Sequence, residues 1–228
     1  MNHRISVIIP VYNETSAIND TIVHLKRLDS DFRPEIIVVD GNPSGNTLKV
    51  ISDEGIKKIK SSKGRGSQMN AGALRASGDI LLFLHADTFL PPQAFSIINE
   101  AFRDSEISAG AFDLGIRSDK AAYRLIEAVV MVRCRLTQIP YGDQAIFIRK
   151  DVFENLGGYR DMPLMEDVDL MRRLKKAGAE TARIPRKVST SARRWEKEGV
   201  FFCTLRNSLL ILLYYLGVPV VKLVKFYP

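Results

Sequence analysis

Leu81-Leu82-Phe83-Leu84-His85-Ala86-Asp87-Thr88 is an uninterrupted apolar run that stops at a histidine, an alanine and an aspartate, with Gly78-Asp79 before it and Pro91-Pro92 after it. An apolar run of this length between turn residues predicts a buried strand of a parallel sheet. Open α/β sheets hold their ligands beyond the carboxyl ends of such strands, which is where His85 and Asp87 fall. Asp87 then has two readings: it caps the turn toward a helix at Pro91, or it binds a metal.

Working outward, three strand-then-helix units precede the run. Residues 5–9 form a short β-branched strand ended by Pro10-Val11-Tyr12-Asn13-Glu14. Thr15 or Ser16 caps a helix to about residue 28, with Ile18, Ile22 and Leu25 on one buried face. A strand over 35–39 ends in Asp40-Gly41, a short helix runs from Gly45 to residue 51, and a weaker strand covers 56–60. Lys63-Gly64-Arg65-Gly66-Ser67-Gln68-Met69-Asn70 is a glycine-rich entry into a helix that ends at Gly78. Successive βα units imply right-handed crossovers and a mostly parallel sheet, an α/β fold. The loops after its strands share one edge, so Tyr12, Asn13, Glu14, Asp40, Lys63, Arg65, His85 and Asp87 converge on one cleft, a nucleotide site in outline.

Beyond the run, helices are expected at 91–102 and 121–136, the latter with Ala122, Leu125, Ala128, Val129 and Val132 on one side. A strand is expected at 110–114. The polar turn Tyr141-Gly142-Asp143-Gln144 leads into a strand at 145–148, and Gly157-Gly158-Tyr159 ends the short helix that follows. Met165-Glu166-Asp167-Val168-Asp169 opens a helix to residue 177, with Val168, Met171 and Leu174 inward. Acidic side chains in a first helical turn are favoured by the dipole, whatever else they do.

At 228 residues and 46% apolar, the chain suffices for one large domain, read as 1–198, with an apolar C-terminal segment, 199–228. The net charge of +7 gathers late: residues 1–182 hold 24 basic and 24 acidic side chains, residues 183–228 hold 9 and 2. Because the basic residues adjoin an apolar stretch, lipid or a phosphate-bearing substrate is favoured over nucleic acid. Cys134 and Cys203 have no CxxC partner, so neither a zinc site nor a disulfide framework is indicated. His3 and His24 lack partners at ligand spacing. The apolar stretch after Arg4 is too short for a secretory signal, and a cytoplasmic protein is expected. A dinucleotide oxidoreductase would carry its glycines after the first strand, whereas Gly64 and Gly66 follow the third.

Taken together, these landmarks resemble a family 2 glycosyltransferase with the GT-A fold, over about residues 4–196. The resemblance implies that Pro10, Tyr12, Asn13, Glu14 and Asp40 meet the base and ribose of a nucleoside-diphosphate sugar, a UDP-sugar. Lys63, Arg65, Gln68, Asn70 and Ala86 complete the donor side. His85-Ala86-Asp87 takes the place of the DxD metal motif, with histidine for the first aspartate. Glu166-Asp167 takes that of the general-base motif, and Arg194-Trp195 ends a QxxRW-like element in which Ser191 replaces glutamine. Tyr141, Gly142, Asp143 and Gln144, with Arg194 and Trp195, are assigned to the acceptor. The implied enzyme is metal-dependent, using Mg²⁺ or Mn²⁺: a divalent cation on an aspartate stabilises the leaving diphosphate, and oxygen ligands suit these ions. Lys63 and Arg65 at a helix start suit phosphate, and Asp167 is the candidate base for a single, inverting displacement. A catalytically weak, membrane-recruited module that binds nucleotide sugars is the alternative.

Residues 207–221 run for 15 positions without a formal charge. That is short of the ~20 residues that span a bilayer. Three uses fit such a segment: a core helix, a homodimer contact, and a peripheral membrane segment with Tyr214, Tyr215 and Tyr227 at the headgroups and Arg206, Lys222 and Lys225 against anionic lipid. The last accords with a lipid-linked acceptor.

Overall fold

In the computed structural model, which describes residues 3–29 and 32–227, the β-branched and leucine-rich runs form the middle of a seven-stranded sheet. Met1, Asn2 and Pro228, which bound the two expected units, lie outside the described residues. In chain order the larger sheet contains β1 (Ile5–Val11), β2 (Glu35–Asp40), β3 (Lys57–Lys60), β4 (Ile80–Phe83), β6 (Ile107–Asp113), β8 (Phe147–Arg149) and β9 (Glu180–Lys187). A three-stranded sheet holds β5 (Thr88–Phe89), β7 (Ile116–Arg117) and β10 (Ser189–Ser191). The larger sheet runs β3-β2-β1-β4-β8-β6-β9. The first four strands are parallel, and β8 lies antiparallel between β4 and β6. The expected parallel sheet with one shared loop edge is therefore present in the first half.

Helices cover both faces. They are α1 (Ile18–Arg27), α2 (Asn46–Lys49), α3 (Arg65–Arg75), α4 (Ala94–Ala101), α5 (Ala121–Thr137), α6 (Lys150–Asn155), α7 (Glu166–Lys176), α8 (Arg193–Glu198), α9 (Val200–Tyr215) and α10 (Val220–Leu223). Side chains alternate along a strand, so Val7 and Ile9 pack on one face with Ile22 of α1 and Phe95 of α4, while Ile8 packs on the other with Met69 of α3 and Val168 of α7. Gly72 lets α3 lie directly on β1, since a Cβ there would sit 2.5 Å from the Ile8 side chain. Ile18, Ile22 and Leu25 are buried as expected, and so are Val168, Met171 and Leu174.

Four expectations change. Helix α1 starts at Ile18 behind Ala17, and neither Thr15 nor Ser16 caps it, because both lie inside a turn in which the Ala17 and Ile18 N–H groups donate to the Glu14 carbonyl. Strands β9 and β10 come from polar sequence; β9 sits at the sheet edge, where Pro185 and charged side chains are tolerated. The apolar side of α5 faces water: Leu125, Val129 and Val132 are exposed, while Tyr123, Glu127 and Cys134 turn inward. Finally, the segment from residue 199 onward is packed against the α/β unit, with Leu210 of α9 and Leu223 of α10 in the second core. Among the described residues no helix is long and apolar enough to cross a membrane.

Candidate active site

A cleft of about 760 Å³ opens at the carboxyl ends of β1 and β4. Its first wall is Pro10 and Val11 at the end of β1, Tyr12 and Glu14 after it, Gln68 of α3, and Ala86-Asp87 after β4. The loops behind this wall are tied down by hydrogen bonds. Gln68 Nε2 donates to the carbonyls of Val11 (2.7 Å) and Val39 (2.8 Å), clasping the ends of β1 and β2. Asn13 Oδ1 accepts from the side-chain amides of Asn42 and Asn46, both at 2.7 Å. Lys63 lies outside the cleft lining and stacks over the Tyr12 ring at 4.8 Å.

Asp87 is fixed from two sides. Its carbonyl accepts from Arg117 at 3.0 Å, and its carboxylate lies 3.6 Å from Arg193. Arg193 also pairs with Glu14 at 2.9 Å. The contact arises because β10 pairs antiparallel with β5, Thr190 against Thr88, which carries the start of α8 to the end of β4. The hydroxyl-rich run Ser189-Thr190-Ser191 is the sequence signal for this strand, and Arg193 follows from its pairing.

The second wall is acidic, with basic side chains facing it. Asp167 Oδ2 accepts from Gly142 N–H at 2.6 Å and its Oδ1 from Val168 N–H at 2.8 Å. Burial, and then the charge of Asp167, push the Glu166 carboxyl up to about 7. Burial pushes Asp143 up to about 6 against the pull of Arg133, and its Oδ1 is buried without a hydrogen-bond partner. His85 is driven down to about 3 by burial and then by Arg65 and Arg194, so it is neutral at ordinary pH. Burial works against the charge of Arg65, but Tyr227, Glu166 and Asp167 outweigh it and hold its pKa above the usual value. Arg194 donates to the Tyr227 hydroxyl, and Trp195 lines the cleft while meeting Tyr123 edge-on at 6.0 Å. Asn207, Leu210 and Ile211 of α9 close this side, a contribution the sequence reading missed.

Three expected site residues serve other ends. Asp40 is fully buried and its carboxylate accepts from the N–H groups of Asn42 and Thr47, so it shapes the loop instead of lining the cleft. Asn70 exchanges two hydrogen bonds with the Tyr159 backbone, locking α3 to the loop before α7. Gln144 is a buried hub that accepts from Arg133 and Tyr141 N–H and donates to the Phe112 carbonyl. Its work is to hold Tyr141, whose ring carries the Arg133 guanidinium at 3.3 Å. Asp169 is bound by Arg160 and Arg173, away from the cleft lining.

Residues 6–159 match the family described as Glycosyl transferase family 2. The chain belongs to that family. Among family-like relatives, a probable glycosyltransferase YdaM of Bacillus subtilis (strain 168) is 27% identical over 222 residues, covering 86% of this chain and 51% of the relative. A dolichol-phosphate mannosyltransferase of Pyrococcus furiosus is 30% identical over 115 residues, 47% of this chain and 33% of its own. An undecaprenyl-phosphate 4-deoxy-4-formamido-L-arabinose transferase of Proteus mirabilis is 33% identical over 103 residues, 40% of this chain and 31% of its own. This chain thus spans about half the length of these relatives or less. The fold matches a mannosyltransferase PcManGT from Pyrobaculum calidifontis, in complex with GDP-Man and Mn²⁺, at a TM-score of 0.63 and 19% identity, over 83% of this chain and 57% of that one.

A family 2 site of this composition can accept a divalent cation in one way. Among the described residues no three His, Cys, Asp or Glu side chains are grouped to hold a metal by themselves. Asp87 is the one strand-end carboxylate after β4, half-open to the cleft, with neutral His85 two residues before it. One carboxylate supplemented by phosphate oxygens and water is the usual Mg²⁺ arrangement, so the donor set fits an ion that arrives with a diphosphate.

Proposed function

We propose that this chain is an inverting glycosyltransferase that moves a sugar from a nucleoside-diphosphate donor, a UDP-sugar, to a hydroxyl of a lipid-linked acceptor. What carries the reading is the meeting within one cleft of Asp87, Arg65 and Arg194 with the carboxylate pair Glu166-Asp167. The acceptor oxygen forms its bond to the anomeric carbon as the bond to the diphosphate oxygen breaks, and the electron pair leaves with the diphosphate. Arg65 and Arg194 neutralise the charge that develops there. Asp167, its carboxylate oriented by the Gly142 and Val168 N–H groups, takes the acceptor proton. Glu166 shares that pocket and tunes Asp167 through like-charge proximity. Asp87, with His85 beside it, would hold a Mg²⁺ or Mn²⁺ ion, which would supply further Lewis-acid stabilisation of the leaving group. Tyr12 is placed to stack on the base, and Tyr141, Asp143 and Trp195 border the acceptor. The basic, apolar C-terminus makes a peripheral membrane contact.

A second reading, a binding module with little turnover, draws on one observation: Arg193 stands against Asp87, where a metal would compete. The test is thermal stabilisation across a panel of sugar nucleotides with and without Mn²⁺, followed by assay of donor turnover. A Mn²⁺-dependent rise in Tm with one donor, and turnover lost in Asp167→Asn, supports the transferase. A rise in Tm without hydrolysis or transfer to any hydroxyl acceptor supports the module.

A further inference from the structure

We propose that α5 and α9 together form a docking face that seats the protein on an anionic bilayer with the cleft mouth at the lipid surface. On α5, Leu125 is 68% exposed, Val129 61%, Val132 50% and Leu136 79%, which makes a water-facing apolar stripe at helical spacing. On α9, Phe201 (81%), Leu205 (57%), Leu212 (55%) and Leu216 (71%) make a second stripe.

The helices that carry the two stripes adjoin at both ends. Val200, at the start of α9, packs in the small cluster that contains Tyr123, Ile126 and Val130 of α5. At the other end Tyr215 feels the charge of Arg133. Between them lies the cleft: Leu210 and Ile211 on the inner side of α9 line it, as does Tyr141 just after α5. A face that rested on these stripes would therefore bring the acceptor side of the cleft against whatever it touched.

Charge identifies the occupant. From residue 199 onward the chain has no carboxylate side chain, and the only one on α5 is Glu127, buried and paired with Arg124 and Lys187. Arg135 on α5, next to Leu136, and Lys222 and Lys225, which follow α9, are exposed. A second copy docking through the same face by a two-fold axis would set these cations against themselves. An anionic membrane complements them and receives the apolar side chains, the composition of an interfacial helix. The α5 stripe is separate in sequence from the C-terminal one, and each carries four exposed apolar side chains. That the bilayer presents the acceptor rests on the transferase reading; the docking does not.

The experiment is flotation of the full chain with vesicles of phosphatidylcholine alone or mixed with phosphatidylglycerol, for the wild type, L125E/V129E on α5 and L205E/L212E on α9. L125S/V129S is the milder α5 variant, should the charged pair fail to fold. The expected result is flotation with the anionic vesicles, at least tenfold weaker with neutral ones, and at least tenfold weaker for each variant, with donor-induced thermal stabilisation unchanged. Flotation of the α5 variants at wild-type level would overturn the two-helix face, as would binding indifferent to the anionic lipid. A soluble dimer that ignores vesicles and is split by these substitutions would assign the face to a second copy. Loss of donor stabilisation in the wild type would sink the transferase reading alone.

Discussion

One wall of the cleft is made of the ends of neighbouring parallel strands and the loops that follow them, at residues 10–14 and 85–87, with the loop at 40–47 packed behind it. The facing wall gathers Tyr141 and Asp143 at a 3₁₀ turn, Glu166 and Asp167 from a helix start, and residues 193–195 from the start of α8 after a distant strand. In the first wall the polar groups are satisfied: Asp40, Gln68 and Asn13 all spend their side chains on loop contacts. In the second, carboxyl groups are crowded, two of them are pushed well upward, and Asp143 Oδ1 has no partner. Stiffness belongs to the first wall. Electrostatic tension belongs to the second, and displaced pKa values usually cluster at functional sites.

The largest expected effect breaks that contrast at its reactive side. Asp167→Asn should lower turnover by roughly 10²-fold or more while leaving donor-induced stabilisation intact. Near-normal turnover measured with a true acceptor would transfer the base to Asp143. On the first wall, Asp87→Asn should weaken Mn²⁺-dependent donor affinity by at least the roughly tenfold that losing even an outer partner of a metal costs. Calorimetry returning an unchanged, metal-dependent affinity would remove Asp87 from that role.

Two smaller effects sharpen the distinction between stiffness and tension. Gln68→Ala leaves the buried ends of β1 and β2 without a donor and should cost about 2 kcal/mol, read as a lower urea midpoint at constant m. An unchanged midpoint would mean that water replaces the amide. Glu166 works in the opposite sense. Its carboxyl is raised from 4.5 to about 7 by burial and then by Asp167, so the folded state keeps a proton that the unfolded state releases. Its contribution is whole below the unfolded value and is lost as pH rises through the folded one. Glu166→Gln should therefore gain on the wild type, by a few degrees in Tm, between about pH 5 and pH 8. A Tm difference flat across that range would show the carboxyl to be solvated.

The first wall was the more legible from sequence because it rests on local rules. The apolar run at 81–84, the spacing of Ile18, Ile22 and Leu25, and the polar strand ends fix a parallel sheet and a shared edge. What local rules leave open is the target of a polar side chain. Asp40, Asn70 and Gln144 have the chemistry of ligand contacts, yet their partners are backbone groups up to 89 positions away, brought close only by packing. Periodicity likewise identified the apolar side of α5 and not whether the protein covers it. Arg193 lacked a signal of its own, because its meeting with Asp87 depends on a two-strand pairing between polar segments.

That pairing also sets an order of events during synthesis. Thr88 and Thr190 are joined by a hydrogen bond across 102 positions. At about 5–20 residues per second the ribosome needs roughly 5–20 s to cover that distance. For that interval the nascent chain carries the loops after β1 and β4 with β5 as an unpaired edge and Asp87 without Arg193. The α8 and α9 side of the cleft emerges last, so the growing polypeptide has one wall of the cleft before it has the other.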